Sequence, residues 1–153
     1  MSTKKPLGSR YGPFHTDRCD VPAPDLLREG IAQFNRGAFF EQHETLEILW
    51  RAEADDVRYL YQGILLVGVG MYHLFERRNY RGAVAKLETG IRLLEWFRPT
   101  CQGVDVDTLI ADSIRAHDAV VALGPDRLAE FDPLLTPKVR LTAGHGDENK
   151  VDG

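Results

Sequence analysis

An all-α fold is predicted for this chain: a compact bundle of about five helices built on two helical hairpins, with an extended N-terminal arm and a C-terminal strap. Three observations predict it. Apolar residues recur at helical spacing from Leu27 to Val121. Glycines, prolines and carboxylates interrupt that pattern where one helix must stop and the next begin. An offset of 41 residues aligns Phe34 with Phe75, Phe39 with Tyr80, Leu46 with Leu87 and Glu47 with Glu88, each copy reading helix, short turn, aromatic, helix. That period resembles helical-hairpin repeats of the tetratricopeptide class, but two copies are few for a solenoid and point to a bundle.

Residues 1–23 carry five glycines and prolines and no apolar period, which predicts an extended arm docking through Tyr11 and Phe14. Pro24 and Asp25 suit a helix start, Leu27, Ile31 and Phe34 share one face, and Gly37 stops the segment. A second helix is expected from about Phe39 to Ala54, followed by a tight turn at "ADD" (54–56) with capping carboxylates. The third, roughly 57–77, is apolar on nearly all sides and should be the most buried. The fourth starts near Tyr80 with the stripe Tyr80, Ala83, Val84, Leu87, Ile91 and Leu94, and Pro99 closes its segment. The fifth is expected over 106–123 with Leu109, Ile110, Ile114, Val120 and Val121 inward, ending at Gly124 and Pro125. "LAEFDPLLTPKVRL" reads as the strap. The single helical domain thus spans 24–141, and 142–153, polar and glycine-rich, is expected to be a flexible tail. No sheet is expected.

Composition narrows the function classes. The chain has 153 residues, 43% hydrophobic and 27% charged, as in an ordinary one-domain globular protein. A net charge of −4 gives no reason to expect nucleic acid or an anionic membrane as partner. The run "GILLVGVGMY" (63–72) is too short to span a bilayer, and the N-terminus lacks the apolar core of a secretory signal. Cys19 and Cys101 have neither metal spacing nor a disulfide-scaffold pattern, so free thiols in the cytoplasm are expected. No phosphate loop, nucleophile elbow or Cys-His pair is present.

The segment "FFEQHETLEILWR" (39–51) holds the candidate site. With His43 at zero and about 100° per residue, Glu47 falls near 40°, Trp50 near 340°, Phe39 near 320° and Phe40 near 60°, so His43 and Glu47 share a face with three aromatics and Glu44 borders it. A buried carboxylate needs a proton, a cation or several donors, and His43 lies one turn away. The third helix carries only Gln62 and His73 as strongly polar side chains between Tyr61 and Leu74. An antiparallel pair about the turn sets residue 47 opposite about 64 and 43 opposite about 68, with Gln62 reaching Glu47 or the Trp50 indole, and His73 near Phe39. Gly63, Gly68 and Gly70 would let the backbones approach. The leading expectation is a satisfied buried network that fixes register. A ligand pocket using the same groups is the second, and a metal site on His43, Glu47 and His73 the third, because "HETLE" only partly matches the zincin HExxH. His15, His117 and His145 read as edge or tail histidines, and Trp50 and Trp96 as core.

"FNRGAFFEQHETLEILWR", "YLYQGILLVGVGMYHL", "RNYRGAVAKLETGIRLL", "CQGVDV" and "LAEFDPLLTPKVRL", in that order, resemble the bacterial and archaeal family called domain of unknown function 309, over about residues 25–141. The resemblance implies an all-helical fold with a His-Glu-x-x-Glu hallmark, which here is His43, Glu44 and Glu47, accompanied by Trp50, Gln62 and His73. Leu66 stands where many relatives are expected to carry a glutamine. The resemblance supplies a fold and a hallmark but no established activity, and it leaves the cofactor unknown. From the residues, the expected function is a non-enzymatic module that binds a protein partner or assembles with itself as a homo-oligomer. The alternative is a metal-assisted hydrolase centred on HExxE.

Overall fold

A computed structural model of the chain describes residues 11–142. The first ten residues of the expected arm, and all of the expected tail except Thr142, with His145, lie outside the described residues.

Five α-helices follow in order: α1 Asp25–Asn35, α2 Phe39–Ala52, α3 Arg58–Tyr72, α4 Tyr80–Leu94 and α5 Val106–Leu123. The fold is all-α, two hairpins plus a fifth helix, as the periodicity predicts. α1 buries Leu27, Ile31 and Phe34. Gly37 ends the segment at φ +81°, which only glycine adopts at no steric cost. Asn79 caps α4 by accepting from the Gly82 amide at 2.9 Å, and Asp105 caps α5 by accepting from the Thr108 amide at 3.0 Å. Burial explains the order of packing. α3 buries nine residues, three of them glycines and the rest including Leu60, Tyr61, Ile64, Val67 and Met71, whereas α2 buries only Phe39, Gln42, Thr45 and Leu46. α3 is the central helix.

The glycines of α3 divide their work. Gly68 faces α2, and a Cβ there would meet the Gln42 amide at 2.4 Å. Gly63 and Gly70 instead face α4, against Leu94 and Leu87, so they do not serve the α2–α3 approach that was expected of them. The two hairpins show their common pattern in space. Gly30 of α1 accepts the Leu46 side chain, as Gly70 of α3 accepts Leu87.

Three details depart from the sequence reading. α3 ends in a π-helical turn, His73–Arg77, rather than continuing as α-helix to 77. α5 turns inward through Val106, Leu109, Ile110, Ser113, Ala116 and Val120, leaving Ile114 and Val121 exposed. A short antiparallel hairpin, β1 Thr100–Cys101 and β2 Val104–Asp105, appears where no strand was expected. Its tight turn places Gln102 at φ +50° and Gly103 at φ +79°.

The hairpin is a gathering point. Cys101 of β1 forms a disulfide with Cys19, so the expectation of free thiols is wrong. Two cysteines 82 residues apart carry no local spacing signal, and only the return of the chain to the helix ends brings them together. The argument from free thiols to a reducing compartment falls with them. The strap closes over the same region: Leu141 bridges to Val104, and the Asp105 amide donates to the Arg140 carbonyl at 2.9 Å. Further back, Asn35 at the end of α1 exchanges two 2.8 Å hydrogen bonds with the Val139 backbone. Among the described residues, no helix is long and apolar enough to cross a membrane.

Candidate functional site

The face of α2 that meets the core is not the one centred on His43. Phe39, Gln42 and Leu46 are buried, placing the core direction at about 290° on the wheel with His43 at zero, so Glu47 lies about 110° away from it. Glu47 keeps 31% of its side chain exposed and Glu44 is fully at the surface. Glu47 receives Arg51 through Nη2 at 2.7 Å and Nε at 3.1 Å, with the His43 Nε2 at 3.3 Å on its other oxygen. The expected buried His-Glu clasp is therefore a half-exposed helix-surface cluster, and the partner sequence reasoning missed is Arg51, at i+4 from Glu47. Pairs of this kind contribute roughly 0.3–0.5 kcal/mol.

The polar side chain that does enter the core is Gln42. It is fully buried, donates from Nε2 to the Leu65 carbonyl at 3.1 Å, and leaves Oε1 without a partner among the described residues. It fits because Gly68 has no side chain. The pairing of 42 with 68 agrees with the expected antiparallel register to within a residue; the rotation of α2 about its axis differs. Phe40 and Trp50 pulled the sequence-derived face toward them, yet Phe40 is 52% exposed and Trp50 half-buried.

Gln62 reaches neither Glu47 nor Trp50. The Trp50 indole nitrogen is buried with no acceptor among the described residues, and the Arg58 guanidinium lies 4.3 Å from the ring centroid, so cation–π contact takes the place of the expected amide. Trp96 is 45% exposed rather than core; its indole donates to the Tyr11 carbonyl, and Gly12 lies against its ring.

A satisfied buried network exists elsewhere. The Tyr61 hydroxyl of α3 donates to Gln102 Oε1 at 2.8 Å, Gln102 Nε2 donates to the Arg18 carbonyl at 3.2 Å, and the Gln102 amide donates to the Cys19 carbonyl at 2.7 Å. Burial pushes the Tyr61 phenol up to about 12, against the smaller opposing effect of the Gln102 bond. A tyrosine in an otherwise apolar helix was the available signal that such a partner must exist. Beside it Phe14 stacks on Tyr59 at 4.0 Å, and the Asp55 and Asp56 carboxylates take the Thr16 hydroxyl and the His15 amide.

At the opposite end of α3 the surface opens. Phe39, Phe40 and His43 of α2, Val69 and Tyr72 of α3, and His73 line a cleft of about 180 Å³. Antiparallel packing sets the start of α2 beside the end of α3, and so brings His43 and His73 to one cleft. From Phe39 in its lining an aromatic row runs on through the protein: Phe34 meets Phe39 edge-on at 5.4 Å, Phe39 stacks on Phe75 at 6.4 Å, and Phe75 meets Phe131 at 5.8 Å. Phe40 and Tyr72 form one wall, centroids 6.1 Å apart. His73 sits at the junction of α3 and the π turn, its ring pressed by Gly82 of α4, with Nδ1 buried and without a partner among the described residues. Burial lowers its pKa, and the positive charges of Lys86 and Arg77 lower it further, so the neutral imidazole prevails at pH 7.

The metal alternative required His43, Glu47 and His73 to converge. Among the described residues no three His, Cys, Asp or Glu side chains form a group able to hold a metal ion. Glu47 turns instead toward Arg51.

The family model described as Domain of unknown function (DUF309) matches residues 27–85. Over that segment the chain is similar to that family. The match runs from α1 through the first turns of α4 and so contains every residue lining the cleft, while Cys101, Gln102 and α5 lie outside it. No curated protein matches the chain.

Proposed function

We propose that this protein is a non-enzymatic binding module that seats an aromatic group in the cleft between the start of α2 and the end of α3. One observation carries the reading: among the described residues a cleft walled by Phe39, Phe40 and Tyr72 stands open beside His43 and His73. A volume of about 180 Å³ matches a single ring with a small substituent, since a cavity of about 150 Å³ takes benzene. The pocket is smaller than drug-sized sites, which run from about 300 Å³, so the guest is a fragment-sized molecule or one side chain of a partner.

The test is an amide-detected NMR titration with neutral ring probes, phenol and indole. Shifts confined to Phe40, Val69, Tyr72 and His73, and abolished by Val69→Trp with the helical circular dichroism unchanged, are expected. Shifts scattered over the surface, or surviving Val69→Trp, would refute the reading.

A further inference from the structure

We propose that the guest of this cleft is the Phe40 ring of a second copy of the chain, the two copies meeting face to face about a twofold axis at the cleft. This rests on the reading of the cleft as a site for an aromatic group and names what fills it.

The apolar half of the contact is a knob beside its own hole. Phe40 is 52% exposed, the most exposed aromatic ring among the described residues, and it projects from a helix rather than a loop. It walls the cleft together with Tyr72, at 6.1 Å between centroids, yet more than half of it is left in solvent. The lining it shares with Phe39, Val69 and Tyr72 is apolar, so a neutral ring suits it and a charged group does not. In a twofold contact the patch that receives is also the patch that inserts. A knob and a hole side by side on one surface therefore satisfy each other twice.

Charge points to the second copy as the source of that ring. Antiparallel packing gathers the end of α1, the start of α2, the π turn and the start of α4 at one end of the bundle. That end carries Arg36, Arg77, Arg78 and Arg81, with Glu76 among them, although the chain as a whole has a net charge of −4. On the outer side of α2, leading away from that end, stand Glu41 beside Phe40 and Glu44 one turn further. All are exposed, and among the described residues none of the four arginines and neither glutamate of α2 forms an ion pair. The cleft thus has a basic end on one side and an acidic flank on the other. A twofold axis across α2 at the cleft turns the second copy end for end, and lays the basic end of each copy against the acidic flank of the other. Opposite charges then meet on both sides of the buried rings. A polyanion would gain the arginines but meet the glutamates of α2, whereas a second copy answers both.

The experiment is sedimentation of the full chain from about 5 µM to about 500 µM, a range that resolves the weak Kd expected of a small, transient contact. A dimer is expected, weakened in about 0.5 M salt because its charge pairs are exposed. Phe40→Ser removes the knob and should raise the dimer Kd at least about tenfold with the helical circular dichroism unchanged. Reversing the flank (Glu41→Lys/Glu44→Lys) or the end (Arg77→Glu/Arg81→Glu) should abolish the homodimer. Mixing those two variants should restore a heterodimer, which loss of folding could not do, and adding Phe40→Ser to both should abolish it again. A dimer untouched by Phe40→Ser lies on another surface and overturns the proposal. A chain that stays monomeric at the highest concentration while phenol and indole still shift the cleft residues also overturns it, and leaves the cleft reading standing. A monomer without those shifts overturns both. A monomer that binds a single-stranded oligonucleotide, and loses it in Arg77→Glu/Arg81→Glu, assigns the basic end to a polyanion and overturns the second copy.

Discussion

The two ends of α3 are built to opposite ends. At its N-terminal end, Tyr61, Gln102 and the backbone of Arg18 and Cys19 satisfy one another, a disulfide fastens them, and Phe14 seals the edge. At its C-terminal end, His73 has a buried nitrogen without a partner among the described residues, Phe40 stands half in solvent, and a cleft remains open. The difference lies in whether the chain itself returns to close the space. The N-terminal arm, the β hairpin and the end of the strap at Arg140 and Leu141 return to the first end, while among the described residues none of the three supplies a residue lining the cleft and the strap comes no nearer it than Phe131 against Phe75. Closed polar groups add stability and specify register; open ones leave interaction capacity for something else.

The largest effect expected from this contrast is at the disulfide. Replacing Cys19 and Cys101 together with serine should lower the unfolding free energy by about 2–4 kcal/mol, because the bond closes a long loop in the unfolded chain. Urea denaturation of the native and double-serine chains checks it, and equal midpoints would mean the thiols are not joined. Tyr61→Phe comes next, at about 1–3 kcal/mol, since it strands Gln102 Oε1 in the core. The native chain should also retain one tyrosine that ionises only near pH 12 in an ultraviolet titration, missing in that variant.

At the open end the same measurements should find little. Glu47→Leu is expected to change stability by no more than about 0.5 kcal/mol, the scale of an exposed i,i+4 pair. A loss several times larger would show that Glu47 is buried after all and would restore the clasp reading.

The smallest effects are in pH. Burial alone would lower the pKa of His117 on α5, but hydrogen bonds to Asp118 and to Glu88 of α4 outweigh it and raise it. Its contribution to stability is therefore complete below the unfolded value of about 6.5 and is lost as pH rises through the folded value. His73 runs the other way, its lowered pKa giving a contribution present above about 6.5 and lost as pH falls through the folded value. His117→Gln should remove the first slope and His73→Gln the second in stability measured against pH. Identical slopes in both variants would show that neither histidine titrates as its surroundings dictate.

How much of this could be read beforehand varies with the range of the cause. The starts of α1, α2 and α4 and the glycine stops followed from local spacing and caps, because a helix is specified by residues three and four apart. The α2–α3 register followed from the length of a short turn. The rotation of α2 did not. Its core face holds Gln42, which looks out of place until Gly68 and the Leu65 carbonyl stand opposite it, whereas Phe40 and Trp50 advertise a face that solvent partly covers. The same limit hid the exposed side of α5, where Ile114 and Val121 read as core while Ser113 takes the buried place.

By itself, then, the sequence determined five helices, their order, their antiparallel hairpins and the presence of His43 and His73 near one end of the pair. Tertiary structure decided that Cys19 meets Cys101, that Tyr61 is answered by Gln102, that Glu47 faces Arg51 at the surface, and that the cleft stays open. The physical reason is one of range. Backbone hydrogen bonds and side-chain spacing within a helix are settled over four residues. The rotation of a helix, and the fate of a polar group on it, are settled by whichever distant segment fills, or leaves unfilled, the space it faces.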